Sequence, residues 1–103
     1  FYIIKSNKKS TSAYHILGLI FKTTELANKF KLIFQQKKIA ATFHYVPLHK
    51  SKMGKKYCNY ALPITENIYN KVVRLPLYAG MTTKELIKIS SLIKDFLTRN
   101  INH

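Results

Sequence analysis

Ala13-Tyr14-His15-Ile16-Leu17-Gly18-Leu19-Ile20-Phe21-Lys22-Thr23-Thr24-Glu25-Leu26-Ala27-Asn28-Lys29-Phe30-Lys31-Leu32-Ile33-Phe34 changes its hydrophobic period in the middle. Up to Phe21, both alternating sets, Tyr14/Ile16/Gly18/Ile20 and His15/Leu17/Leu19/Phe21, are mostly apolar, the pattern of a strand covered on both faces. Beyond Thr24, Leu26, Phe30, Ile33 and Phe34 recur at i, i+4, i+7 and i+8. That is a helical stripe, with Glu25, Lys29, Lys31, Gln35 and Lys38 on the other faces. Thr23 or Thr24 supplies the N-cap oxygen between the two elements. A strand over 13–21 leading into a helix of about four turns makes the fold class α/β.

Downstream, 39–46 is rich in β-formers and ends at Pro47, which favours an extended residue before it, so it reads as a second strand. Residues 50–60 hold four Lys, two Tyr and Gly54 without a period and read as a loop. Pro63 suits the first turn of a short helix whose face carries Ile64, Ile68 and Val72. Residues 73–77, centred on Pro76, fit a short edge strand, and Tyr78-Ala79-Gly80 turns the chain. Thr82-Thr83-Lys84-Glu85 has the capping-box spacing, and Leu86, Ile89, Ile93 and Phe96 continue a helix to about Arg99. The expected architecture is a small sheet packed against helices. Phe1 to Ser12 reads as a linker or arm, polar from Lys5 onward.

With 103 residues the chain has room for one core. Its apolar fraction of 47% argues against disorder over most of the length. The longest apolar run, 16–21, is far shorter than the ~20 residues of a membrane span. The single cysteine, Cys58, excludes an internal disulfide framework and fits a reducing compartment, so a cytoplasmic location is expected. The formal charge of +14 rests on 16 Lys and only two Arg, Arg74 and Arg99. Dedicated phosphate-gripping surfaces favour the planar fork of Arg, so this charge reads mainly as a solvated lysine surface. A basic nucleic-acid-binding domain, using Tyr57, Tyr60 and the lysine loop, is the competing reading from another class.

Candidate chemistry concentrates in Phe43-His44-Tyr45-Val46-Pro47-Leu48-His49, where two imidazoles and a phenol meet a strand end, the usual place for ligand-facing groups in α/β folds. Phe43 reads as core, while His15 and His44 have the alternative of sitting as satisfied core-edge histidines. His44 and His49, with His15 or Cys58 at a distance, match no zinc spacing. No partner marks Cys58 as a nucleophile, three glycines make no phosphate loop, and four scattered acids make no carboxylate pair.

These same residues carry a resemblance. Ile39-Ala40-Ala41-Thr42-Phe43-His44-Tyr45-Val46-Pro47-Leu48-His49 is similar to the small-domain strand of the DegT/DnrJ/EryC1/StrS sugar-nucleotide aminotransferases. So are Ala13-Tyr14-His15 opening an apolar strand, Leu62-Pro63-Ile64-Thr65-Glu66 after Tyr57, and Val73-Arg74-Leu75-Pro76-Leu77-Tyr78 followed by Met81-Thr82. The match covers 13–98. Lys38 departs from it, standing where many relatives carry Gly, and the Lys50 to Lys56 loop is more basic than usual.

The resemblance implies the C-terminal small domain of a type I enzyme dependent on pyridoxal phosphate, with a small, mainly antiparallel sheet. Residues 1–12 would be the linker or arm from a large N-terminal domain and 13–103 the small domain. The large domain, which in the family carries the Schiff-base lysine, the acid facing the pyridine nitrogen and the phosphate-binding groups, has no counterpart in these residues. Since the chain opens on Phe1 rather than Met, it is expected to be a piece of something longer, inactive alone and without cofactor. The implied reaction of the intact enzyme is amino transfer from L-glutamate to the C4 keto group of a dTDP-4-keto-6-deoxyhexose. The implied substrate-binding residues are His44, Tyr45, His49 and Lys50, with Lys50 or Lys52 adding charge near the diphosphate. Arg74 is implied as a tie to the body of the domain, with a direct ligand contact as the alternative. No catalytic, cofactor-binding or metal-binding residue is expected here. The implied partners are the large domain, the sugar nucleotide and a second subunit in a homodimer, with no membrane.

Overall fold

The computed structural model describes residues 1–100; residues 101–103, the end of the expected small domain, lie outside the described residues. The chain forms strand β1 (Tyr2–Ile3), strand β2 (Leu17–Ile20), helix α1 (Thr24–Gln36), two 3-10 turns (Leu48–Lys50 and Gly54–Lys56), helix α2 (Pro63–Tyr69), strand β3 (Val72–Leu75) and helix α3 (Thr83–Asn100). This is a small α/β fold whose three strands pair antiparallel in the order β1-β2-β3.

The registers Leu17↔Leu75 and Leu19↔Val73 place the apolar residues of β2 and β3 on one face, and α1 and α3 cover it. Four phenylalanines fill the layer. Phe30 stacks on Phe34 at 4.2 Å, meets Phe21 at 4.9 Å and takes Phe96 edge-on at 5.1 Å. Phe30 and Phe34 are completely buried, each contributing about 2 kcal/mol of transfer free energy. On the opposite face, Gly18 pairs with Arg74 and Ile20 with Val72. There a Cβ on Gly18 would stand 2.7 Å from the Ile4 methyl, so the glycine lets the N-terminal segment lie close over β2.

The helix ends follow the sequence. Thr23 Oγ1 accepts from the Leu26 amide at 3.2 Å and caps α1. At α3, Thr82 Oγ1 accepts from the Glu85 amide at 3.3 Å while Glu85 Oε2 accepts from the Thr82 amide at 2.8 Å, a complete capping box. Pro63 opens α2. Helix α1 closes in a Schellman arrangement, in which the Lys38 amide donates to Gln35 O and the Ile39 amide to Phe34 O, both at 2.9 Å. The residue this closure puts in the left-handed region is Lys38, at φ 57°.

Several expectations are corrected. The strand over 39–46 is reduced to one bridge, in which the Thr42 amide donates to Arg74 O at 3.1 Å and the Arg74 amide to Thr42 O at 2.7 Å. Tyr45 at φ 45° turns the chain off the sheet before Pro47, so the ladder cannot extend. The strand expected over 13–21 is confined to 17–20; Tyr14 at φ 51° interrupts its first half. The last strand begins at Val72 and ends before Pro76, whose missing N–H cannot join a ladder. The stretch read as an arm divides, since Tyr2–Ile3 pairs with β2 while 5–12 carries only a turn closed by the Ser10 amide on Asn7 O. Phe43 is 52% exposed rather than core. The radius of gyration, 15.6 Å, exceeds the ~13 Å of a compact chain this long, because 4–16 and 43–62 lie off the phenylalanine layer.

Candidate functional site

Because β3 alternates, Val72 and Arg74 point away from the phenylalanine layer, and the 44–48 segment crosses that side. Between this segment and α2 lies an apolar groove of about 540 Å³. Tyr45, Val46, Pro47 and Leu48 form one wall, Ile64, Ile68 and Tyr69 the other, and Val72 the floor. The stripe Ile64/Ile68/Val72 thus lines a groove, with Val72 buried at its base. Leu48 and Ile64 are 84% and 76% exposed, apolar area that water covers at a free-energy cost.

Polar groups gather at one rim. Arg74 Nη1 donates a long 3.4 Å hydrogen bond to Tyr45 Oη, and the guanidinium stands 5.7 Å from the centre of the tyrosine ring. His44 lies against the same ring, centroid to centroid 5.0 Å. His44 and Tyr45 are both exposed, and His44 is no core-edge histidine. A non-glycine residue at φ 45° costs of order 1 kcal/mol, and here it turns the phenol onto Arg74 rather than into the ladder.

His49 and Lys50 are brought together elsewhere. The 3-10 turn they occupy carries both onto Glu66 of α2. His49 Nε2 donates to Oε1 at 3.2 Å and Lys50 Nζ to Oε2 at 2.7 Å, while the Leu62 amide also donates to Oε1 at 3.2 Å. The His49 side chain is only 8% exposed. Lys50, then the Leu62 amide, then His49 hold the Glu66 carboxyl down at about 2, and the same contact raises Lys50. Beneath this turn, Gly54 lies against the Leu48 carbonyl with no room for a Cβ, and its amide donates to Ser51 Oγ at 2.9 Å. Glu66 is the residue that sequence reasoning missed. The 17-residue gap between Glu66 and His49 is not a local pattern, so the pairing leaves no signal in the sequence.

The remaining candidates stay apart. His15 is exposed ahead of β2, and Lys52 is exposed on the loop. Cys58 is half-buried, its thiol 3.6 Å from Tyr60 O. Tyr57 and Tyr60 are exposed beside Lys55 and Lys56. No group of three metal-ligating side chains converges among the described residues. No polar or charged residue is buried as a whole among them, and Lys50, which meets Glu66, keeps about a third of its side chain exposed, so no lysine is held desolvated against an acid. The residues of this chain therefore do not by themselves fit pyridoxal phosphate, which requires a sequestered amine and a carboxylate for its ring nitrogen. No helix among them is long and apolar enough to cross a membrane.

With the geometry in place, known proteins give it a context. The sequence profile of the DegT/DnrJ/EryC1/StrS aminotransferase family matches residues 1–94. An uncharacterized protein of Methanocaldococcus jannaschii is 29% identical over 94 residues, covering 85% of this chain and 24% of its own length. The chain therefore spans about a quarter of the relative it matches.

Proposed function

The chain belongs to the DegT/DnrJ/EryC1/StrS aminotransferase family, and from that premise we propose that it is the C-terminal small domain of a sugar-nucleotide aminotransferase of the type I architecture. The full-length enzyme depends on pyridoxal phosphate, an electron sink that another domain binds. It moves an amino group from L-glutamate to the C4 keto group of a dTDP-4-keto-6-deoxyhexose, on the way to a lipopolysaccharide or common-antigen sugar. Within the family, the reading we favour is a protein similar to dTDP-4-amino-4,6-dideoxygalactose transaminase.

This domain's part is recognition. His44 and Tyr45 donate hydrogen bonds to hydroxyl or phosphate oxygens of the sugar nucleotide from the groove rim. Lys50 adds positive charge near the diphosphate. His49, whose Nε2 is committed to Glu66, meets the ligand only through its other ring nitrogen. The observation that carries this reading is the groove itself, an apolar cleft with a few convergent polar groups at one edge, the usual composition of a small-molecule site. Exposed Leu48 and Ile64 suit burial against the large domain or the second subunit of a homodimer.

The test is an amino-transfer assay on the full-length protein, with L-glutamate and a dTDP-linked 4-keto sugar, following 2-oxoglutarate. Turnover is expected there and none from the 103-residue chain. Borohydride reduction of the chain with pyridoxal phosphate should leave no adduct concentrated on one lysine; a single stable adduct would contradict the assignment. The exposed Tyr57 and Tyr60 beside Lys55 and Lys56 favour a second reading, a basic surface for single-stranded nucleic acid. A salt-dependent gel shift at physiological ionic strength would support that reading instead.

A further inference from the structure

We infer that Glu66 is the positioning residue of the groove: its carboxylate clasps the 48–50 turn to α2 and so sets the distance between the 45–48 wall and the Ile64/Ile68 wall. This rests on reading the groove as the sugar-nucleotide wall and deepens it. One side chain joins three pieces of backbone, the turn through His49 and Lys50, the residue preceding the helix through the Leu62 amide, and α2 itself. The other hydrogen bonds of the turn are local: the Lys50 amide to Pro47 O, and the Ser51 amide and hydroxyl to Leu48 O. They shape the turn without fixing where it sits. The Lys50 ammonium, 5.5 Å from the Tyr69 ring, adds to the same side of the clasp.

Both carboxylate oxygens are needed. Oε1 serves two donors and Oε2 the lysine, so an amide at this position would turn its NH2 either toward the ammonium or toward the imidazole and the Leu62 amide. Neither the phenylalanine cluster nor the apolar residues packed on it come from 42–69, so releasing the clasp should open the groove while leaving the α1/α3 layer packed. Glu66 does not itself line the groove; it acts through the segment it holds.

The experiment uses the full-length protein and Glu66→Gln, with Glu66→Asp as the conservative rescue. Hydrogen exchange is read on peptides covering 44–66, and steady-state kinetics with the sugar nucleotide. The Gln variant should exchange about tenfold faster at Lys50, Ser51 and Leu62, with unchanged exchange at Phe30 and Phe34, and KM should rise about tenfold with kcat kept. Asp should recover part of both effects. If Gln at 66 prevents folding, Lys50→Met releases one oxygen alone and is read by exchange, which should rise at Ser51 and Leu62 in smaller measure; unchanged exchange there overturns the clasp. Unchanged exchange overturns the clasp. Faster exchange with unchanged KM overturns positioning, leaving a structural tie. Absence of amino transfer in the wild type removes the functional reading, and the positioning role falls with it, while the exchange data still decide whether the clasp exists.

Discussion

Two regions of this molecule are held by opposite kinds of chemistry. Between the sheet and helices α1 and α3, Phe21, Phe30, Phe34 and Phe96 interlock with ring centres 4.2 to 6.0 Å apart, and no polar group is buried among them. From Thr42 to Leu62 the chain has 3-10 turns, one bridge to β3, the long Arg74–Tyr45 hydrogen bond and the Glu66 clasp. The first region draws its stability from area removed from water, and pH reaches it mainly through the Glu85 cap at the start of α3. The second draws on a few charge-assisted hydrogen bonds at the surface, individually weaker and responsive to protonation. A segment of that second kind opens locally at small cost, which suits the role proposed for it as a ligand-facing wall.

The sharpest attempt to break the contrast is Phe30→Ala. It should cost about 3–5 kcal/mol, enough to unfold much of the population, read as a lowered urea midpoint. A loss under about 1 kcal/mol would mean that the stability lies elsewhere. Gly54→Ala comes next. Its Cβ would fall on the Leu48 carbonyl and push the two 3-10 turns apart, costing about 1–3 kcal/mol. Exchange in the 44–62 segment should rise while the aromatic signals of the core persist; equal disturbance of both would erase the distinction.

Lys38→Gly works in the other direction, relieving a left-handed lysine at the end of α1, and should raise stability by about 1 kcal/mol in thermal melts. Acid gives the smallest effect. Glu66 and Glu85 are held at about 2 against an ordinary 4.5, the first mainly by Lys50 and the second by the Thr82 amide and hydroxyl with Tyr78. Their depressed folded values mean that the unfolded chain binds more protons in that window. Stability from both is full above about 4.5 and declines as pH falls toward 2. Glu66→Gln should flatten its share of that slope, and an unchanged acid profile would remove the electrostatic account of the clasp.

What could be read in the residues alone was whatever is local. Thr23, Pro63 and the Thr82/Glu85 box marked helix starts, and the stripe from Leu26 to Phe34 identified the side that meets the sheet. Segment 39–46 misled because β-forming composition says nothing of φ at Tyr45, and one left-handed residue ends a ladder that the side chains would favour. Lys38 shows the same limit, for the α1 closure puts a lysine in the left-handed conformation that favours glycine. The polar strand end was legible as a place of chemistry, but its division was not. His44 and Tyr45 go to the groove rim with Arg74, whereas His49 and Lys50 go to Glu66, and that partition depends on tertiary contacts 17 to 29 residues apart in sequence.

The most direct examination is steady-state kinetics of the full-length protein with His44→Ala, varying the dTDP-linked keto sugar at saturating L-glutamate. We expect KM for the sugar nucleotide to rise about tenfold while KM for glutamate stays put, the loss of one ligand hydrogen bond. Identical constants for the variant and the wild type would contradict the claim that this segment meets the substrate.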